Sequence, residues 1–209
     1  MKFFAFCILA ILGCASAQFG PVGIKHILRA HNDLRSDIAM GTYDGYDAFK
    51  QPKPPATNMR KLKWDDSLAT SAQDYANTCP ESLSQPSGEN IYFGYDSTDK
   101  NTVDYFGPRS SQVWEEEFVK FGWNSTTMDD NASNIKEATQ MVWAETGSIG
   151  CGVKVCPKDP SHNDMFKYVV VCHYKEPGNV KGSEIYKAGK TCSACSSGLT
   201  CETATGLCV

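Results

Sequence analysis

The side chains able to move protons or hold a cation in this sequence are carboxylates and histidines set at the edges of apolar runs. Glu137 stands just before Met141-Val142-Trp143-Ala144 and the glycine-flanked Cys151. Glu117 ends a run of three glutamates beginning at Glu115, and lies one helical turn from both Trp114 and Phe121, at the buried edge of a helix face. Such an acid has three options: it stays solvated, it accepts from backbone amides and orients a loop, or it meets a second acid. In the last case repulsion raises a pKa and favours a shared proton or a hard cation such as calcium. Of the four histidines, His31 falls on an apolar stripe and reads as a hydrogen-bonded packing residue. His26 and His162 have no motif around them.

Those groups need a scaffold, and the chain supplies the signals for one. From Val22 to Met40 the apolar positions Ile24, Ile27, Leu28, Leu34 and Ile38 form a helical stripe that Gly41 can end. Tyr43 to Thr57, with Pro52, Pro54 and Pro55, predicts a loop. A second helix starts at Asp65 or Asp66 as cap and ends near Cys79-Pro80, carrying Leu68, Ala72, Tyr75 and Ala76 inward. A third runs from about Ser110 to Phe121 with Val113, Trp114, Phe118 and Phe121 on one face. Ile149 to Cys156 and Lys167 to Tyr174 are rich in β-branched and aromatic residues and predict paired antiparallel strands.

The first residues, Met1-Lys2 followed by an apolar stretch and then Ala15-Ser16-Ala17, read as a secretory signal peptide spanning 1–17. Two of the ten cysteines, Cys7 and Cys14, lie in it, leaving eight. An even number in an exported chain predicts disulfides, and for Cys192 and Cys195 a bridge is favoured over zinc because no histidine pair lies nearby. The formal net charge of −4 and the lack of a basic stripe argue against nucleic-acid partners, and no later apolar stretch is long enough for a membrane helix. Asn124 and Asn131 head glycosylation sequons in a polar stretch. The small, polar, cysteine-dense residues 189–209 predict a tail held by bridges rather than a core, after one core domain over 18–188.

Five motifs, His31-Asn32-Asp33-Leu34-Arg35, Gly88-Glu89-Asn90-Ile91-Tyr92, Thr139-Gln140-Met141-Val142-Trp143, Gly150-Cys151-Gly152 and Cys172-His173-Tyr174 with Pro177-Gly178-Asn179, occur in this order. Together they resemble the CAP superfamily of cysteine-rich secretory, antigen 5 and pathogenesis-related proteins, most closely its single-domain secreted members from nematodes. The resemblance implies an α+β fold, an α-β-α sandwich (CAP or SCP domain) followed by a small disulfide-rich hinge. It also implies the pairs Cys79 with Cys156, Cys151 with Cys172, Cys192 with Cys201 and Cys195 with Cys208.

Many members of that family hold zinc in a cleft of two histidines and two glutamates. The glutamates match Glu89 and Glu117, but Leu83, followed by Ser84, stands at the first histidine position and Glu137 at the second. Gln140 of the adjoining motif belongs to the same expected cleft. An all-oxygen set disfavours zinc and leaves calcium as the cation to consider. At Glu137 the alternatives are a solvated acid, an acid cluster with Glu89 and Glu117, or a one-residue displacement of the match.

The implied function is a non-enzymatic, extracellular binding protein with a protein partner or a small apolar ligand such as a sterol or lipid. The aromatic loop Tyr92 to Tyr95 and the segment Tyr105 to Pro108 are the places expected to form an apolar groove. The alternative is a hydrolase with Ser84 as nucleophile and Glu89 beside it, which lacks a histidine base at either family position. A structural coat role is disfavoured by the single domain and the absence of repeats.

Overall fold

The computed structural model describes residues 18–44, 52–84, 87–99 and 103–209. The signal segment expected over 1–17 lies outside them. Helix α1, Pro21–Met40, has proline in its first turn, where a missing N–H costs no bond, and Gly41 ends it at φ 71°. Asp65 caps α2, Asp66–Asn77, by accepting from the amides of Ser67 and Leu68. Helix α3, Phe106–Phe121, starts four residues before the expected Ser110. Pro108 falls in its first turn, so the helix tolerates it.

Strands β1 (Lys63–Trp64), β2 (Glu89–Asp96), β3 (Ser148–Asp159) and β4 (Met165–Lys175) form one sheet in the order β1-β3-β4-β2. It is antiparallel apart from β1, which runs parallel to β3. Helix α2 covers one face, packing Ala72 and Ala76 against Val169 and Val171. The larger core, with Ile27, Leu34, Ile38, Trp114 and Phe118, lies on the other face with α1, α3 and the short α4, Lys136–Met141.

Two expectations fail here. Tyr92 to Tyr95 is strand β2, not a loop; Phe93 packs towards α2, and Tyr95 stacks on His162 at 3.8 Å. Phe106 is buried against Tyr168 at 3.9 Å, leaving Tyr105 as the exposed member of its segment, so neither aromatic run opens a groove. Both runs find partners through β4, which no local pattern reveals.

Four disulfides form, Cys79–Cys156, Cys151–Cys172, Cys192–Cys201 and Cys195–Cys208, the pairs implied by the resemblance. The tail is more than a bridged appendage. Its hairpin of β5 (Cys201–Glu202) and β6 (Leu207–Cys208) exchanges backbone bonds with Met59 and Lys61 through Cys208, and Leu207 is fully buried in the main core. The Ser36 and Thr191 hydroxyls, bonded to the Thr205 and Ala39 carbonyls, add side-chain ties. One apolar residue among small polar ones is too weak a signal to predict this docking. No helix among the described residues is long and apolar enough to cross a membrane.

The motif beginning at His31 is the brace between α1 and the sheet. Arg35 is fully buried and donates to five carbonyls: Arg60 from Nε, Met141 and Trp143 from one terminal nitrogen, Ala144 and Thr146 from the other. Asn32 exchanges two bonds with the Leu62 backbone. His31 Nδ1 faces the Ile27 carbonyl at 2.9 Å and must donate to it, so Nε2 accepts from the Tyr174 hydroxyl, also at 2.9 Å. Burial, aided by the Arg35 charge and opposed by the Ile27 bond, lowers the His31 pKa to about 4. His31 is therefore a neutral packing residue, as its place on the stripe predicts.

Candidate functional site

The three acids expected to share one cleft are divided by the sheet. Residues 89, 91 and 93 of β2 face α2, and 90, 92 and 94 face the larger core, because successive strand side chains alternate. Glu89 therefore lies on the α2 side, with a buried side chain. Its Oε1 accepts from the Ser84 amide at 2.6 Å, and its Oε2 accepts from the Ser84 hydroxyl and faces His173 Nε2 at 2.8 Å. Burial opposes its ionisation, but the bonds from His173 and Ser84 outweigh that, and its pKa lies below the ordinary carboxylate value.

On the other side, Glu117 of α3 accepts from the Ala138 amide at 3.0 Å and is hydrogen-bonded to the Glu137 side chain. Burial first, then the Glu137 charge, pushes the Glu117 pKa up to about 8, so the two carboxyls share a proton at neutral pH. Of the readings open for Glu137, the meeting of acids describes its contact with Glu117 but does not extend to Glu89. Asn90, the neighbour of Glu89, reaches only the Glu137 carbonyl, at 2.9 Å, and shares its amide with the Tyr174 hydroxyl.

The other expected members are accounted for. Leu83 is exposed beside Ser84, which ties its own loop to Glu89. Gln140 is fully buried, with its amide spent on the Thr146 hydroxyl and the Gly178 amide; it clamps the Gly178 loop and does not line a cleft. Asn179 completes that clamp through the Thr139 hydroxyl and the Lys136 carbonyl.

Zinc, the metal implied by the family, does not fit these residues. Leu83 and Glu137, which offer no imidazole, stand where the resemblance places the two histidines, and Glu89 lies on the other side of the sheet from Glu117 and Glu137. Among the described residues the one group of three potential ligands within 4.8 Å of one another is Cys192, Cys195 and Cys208, all of them in disulfides.

The proton shared by Glu117 has a consequence for stability. A folded-state pKa above the unfolded value means that the folded chain binds the extra proton between about 4.5 and about 8. Its stabilisation is complete below that window and is lost as pH rises through it. Glu117→Gln keeps a hydrogen-bond donor for Glu137 without needing the proton. Denaturant unfolding across the window should therefore show a flatter pH dependence in the variant, with a relative gain at its upper end on the order of 2 kcal/mol. Parallel curves for the two proteins would refute the shared proton.

The pairing that sequence reasoning missed is that of His173. Glu89 and His173 are direct cross-strand partners, and His173 Nδ1 meets the Ser71 hydroxyl of α2 at 2.7 Å. Alternation along Lys167 to Tyr174 places His173 on the face of Val171 and Val169, but its partners come from a strand and a helix about eighty and a hundred residues away.

Comparison with known proteins agrees with the geometry. Residues 28–174 match the family model described as CAP, the cysteine-rich secretory protein family. The chain is 35% identical to venom allergen 5 of Vespula pensylvanica over 78% of its own length and 79% of the relative's. It is 34% identical to peptidase inhibitor 16 of Mus musculus over 73% of its length, spanning 30% of that longer protein. The crystal structure of NaASP2 with Zn2+ superposes with a TM-score of 0.77 at 29% identity, covering 94% of this chain and all of the other. Fold, disulfides and sequence match together place the chain in the cysteine-rich secretory protein (CAP) family.

Proposed function

We propose that the chain is a secreted, non-enzymatic protein that acts outside the cell by binding, with a protein surface as the favoured partner and a small sterol or lipid as the lesser one. The observation that carries this reading is that the acids of the family cleft are satisfied by the chain itself. Ser84 and His173 occupy Glu89, and Glu137 and the Ala138 amide occupy Glu117. NaASP2 has a crystal structure with Zn2+, whereas here Leu83 and Glu137 stand where the resemblance places the imidazole ligands.

Two features favour a protein over an enclosed apolar ligand. The clefts of about 410 and 430 Å³ are lined mainly by polar residues, among them Asp33, Asp37 and Lys61 in one and Glu81, Lys158 and Lys167 in the other. Val119 and Phe121, by contrast, stand exposed at the end of α3, 78% and 49% accessible. Cleavage after Ala17 and glycans on Asn124 and Asn131 belong to the same extracellular reading. As a hydrolytic nucleophile Ser84 lacks a histidine base, since its hydroxyl donates to the Glu89 carboxylate and not to an imidazole.

Calorimetric titration of the metal-stripped protein with zinc and then calcium tests the central claim. No zinc heat is expected from the wild type, and at most weak binding from Glu137→His, because one imidazole does not rebuild a site whose acids face opposite sides of the sheet. Micromolar or tighter zinc binding by the wild type would return the metal site to this cleft.

A further inference from the structure

Ser71, His173 and Glu89 come from α2, β4 and β2 and form a continuous chain, with Ser71 Oγ 2.7 Å from His173 Nδ1 and His173 Nε2 2.8 Å from Glu89 Oε2. With the His173 ring neutral, chemistry fixes the protons in this chain. Glu89 already accepts two bonds from Ser84 as a carboxylate, and a carboxylate oxygen can only accept, so Nε2 carries the ring proton of neutral His173 and donates it to Glu89. Nδ1 is then a bare lone pair, and Ser71 must donate to it. Were the ring protonated, Nδ1 would donate instead, and the Ser71 proton would turn to its second neighbour, the Leu68 carbonyl at 3.0 Å. Glu89 is buried, His173 nearly so, and Ser71 lies on the exposed face of α2. A buried acid thus orients a base whose open nitrogen meets a solvent-facing hydroxyl, the arrangement that activates a nucleophile.

We propose that Ser71 is a base-activated nucleophile that takes up acyl or phosphonyl groups from activated esters and related electrophiles. It is neither Ser84 nor part of the expected cleft, and it is independent of the binding function. In the step, Ser71 Oγ forms a bond to the carbonyl carbon or phosphorus while its proton passes to His173 Nδ1. The bond to the leaving group breaks with its electron pair, and an alkoxide leaving group recovers that proton from Nδ1 and departs as the alcohol. Glu89 holds the ring throughout as a positioning residue. Ser71 sits in the middle of α2, where backbone amides are bonded within the helix and offer no oxyanion pocket. Each missing oxyanion donor lowers the rate of attack and of release alike by about 10²- to 10³-fold, so only activated electrophiles react and the adduct is released too slowly for turnover.

The test is labelling of the intact secreted protein with a fluorophosphonate, in which the P–F bond breaks and fluoride leaves, read by intact mass and mapped by fragmentation. One adduct per chain is expected, on Ser71 and not on Ser84. Ser71→Ala, an exposed change, should abolish it, and His173→Gln should slow it by about 10²-fold. Reduced and denatured wild type keeps Ser71 but loses its base, so it should label only at background, which decides the matter even if His173→Gln does not fold. An unlabelled native protein, an undiminished rate in Ser71→Ala or His173→Gln, or equal labelling of native and denatured chains would overturn the proposal.

Discussion

Arg35→Ala is expected to lower the melting temperature of the protein by about 10–20 °C. The guanidinium is buried and satisfies the carbonyls of Arg60, Met141, Trp143, Ala144 and Thr146. The Trp143 carbonyl also accepts from the Thr146 amide and the Ala144 carbonyl from the Arg60 amide, so the Arg60, Met141 and Thr146 carbonyls depend on the guanidinium most. An unsatisfied buried carbonyl costs about 1–3 kcal/mol, and water entering the cavity recovers part of it, leaving a loss of about 4–6 kcal/mol. For a chain of this size each kcal/mol corresponds to about 2–4 °C. Burial, together with the Arg60 charge, already pulls the Arg35 pKa down to about 9, a sign of how far this cation is withdrawn from water. Arg35→Lys should recover less than half of the loss, because one ammonium cannot reach carbonyls spread around a planar fork. Thermal unfolding followed by circular dichroism is the measurement, and a fall of under about 3 °C in Arg35→Ala would mean that the carbonyls do not depend on it.

Gly150→Ala is also expected to be strongly damaging, for a steric reason. A Cβ at Gly150 would lie 2.1 Å from the Ala69 nitrogen and 2.5 Å from the Asp65 carbonyl oxygen, and at Gly152 it would lie 2.3 Å from Gln73 Cα. All are backbone atoms at the start and middle of α2, which cannot yield without lifting the helix from β3. The helix would also carry Ser71 away from His173. Overpacking of this kind costs about 3 kcal/mol or more, and secreted yield should collapse. Gly182→Ala is the control: its φ of 80° strains a side chain, but nothing lies within 4 Å, so about 1 kcal/mol is expected. Equal yields for Gly150→Ala and Gly182→Ala would show that helix and strand do not press together as described.

Both positions belong to motifs read from the sequence, and both turn out to be scaffold. The helical stripe of α1, the Asp65 cap and the two β-branched strands were legible because each is a local pattern with a local cause: periodicity, a side chain accepting from the next turn, or crowding at Cβ. Strand β2 was not, since its aromatic run makes sense only when β4 lies beside it. The burial of Leu207 was missed for a similar reason, as the surface that covers it comes from residues far earlier in the chain.

At the site the division is sharper. The sequence by itself placed Glu117 at the buried edge of a helix; that Leu83 and Glu137 stand at histidine positions of a cleft is what the family resemblance implies. Which of these groups meet was decided by tertiary structure. Alternation along β2 turns Glu89 towards α2, and packing of α3 on α4 brings Glu117 to Glu137. Pairing of β2 with β4 supplies His173, whose two nitrogens then join an acid to a serine from separate elements. Hydrogen bonds act over about 3 Å, and chain neighbours seldom provide such contacts between strands and helices; only the register of the sheet and the seat of α2 upon it do.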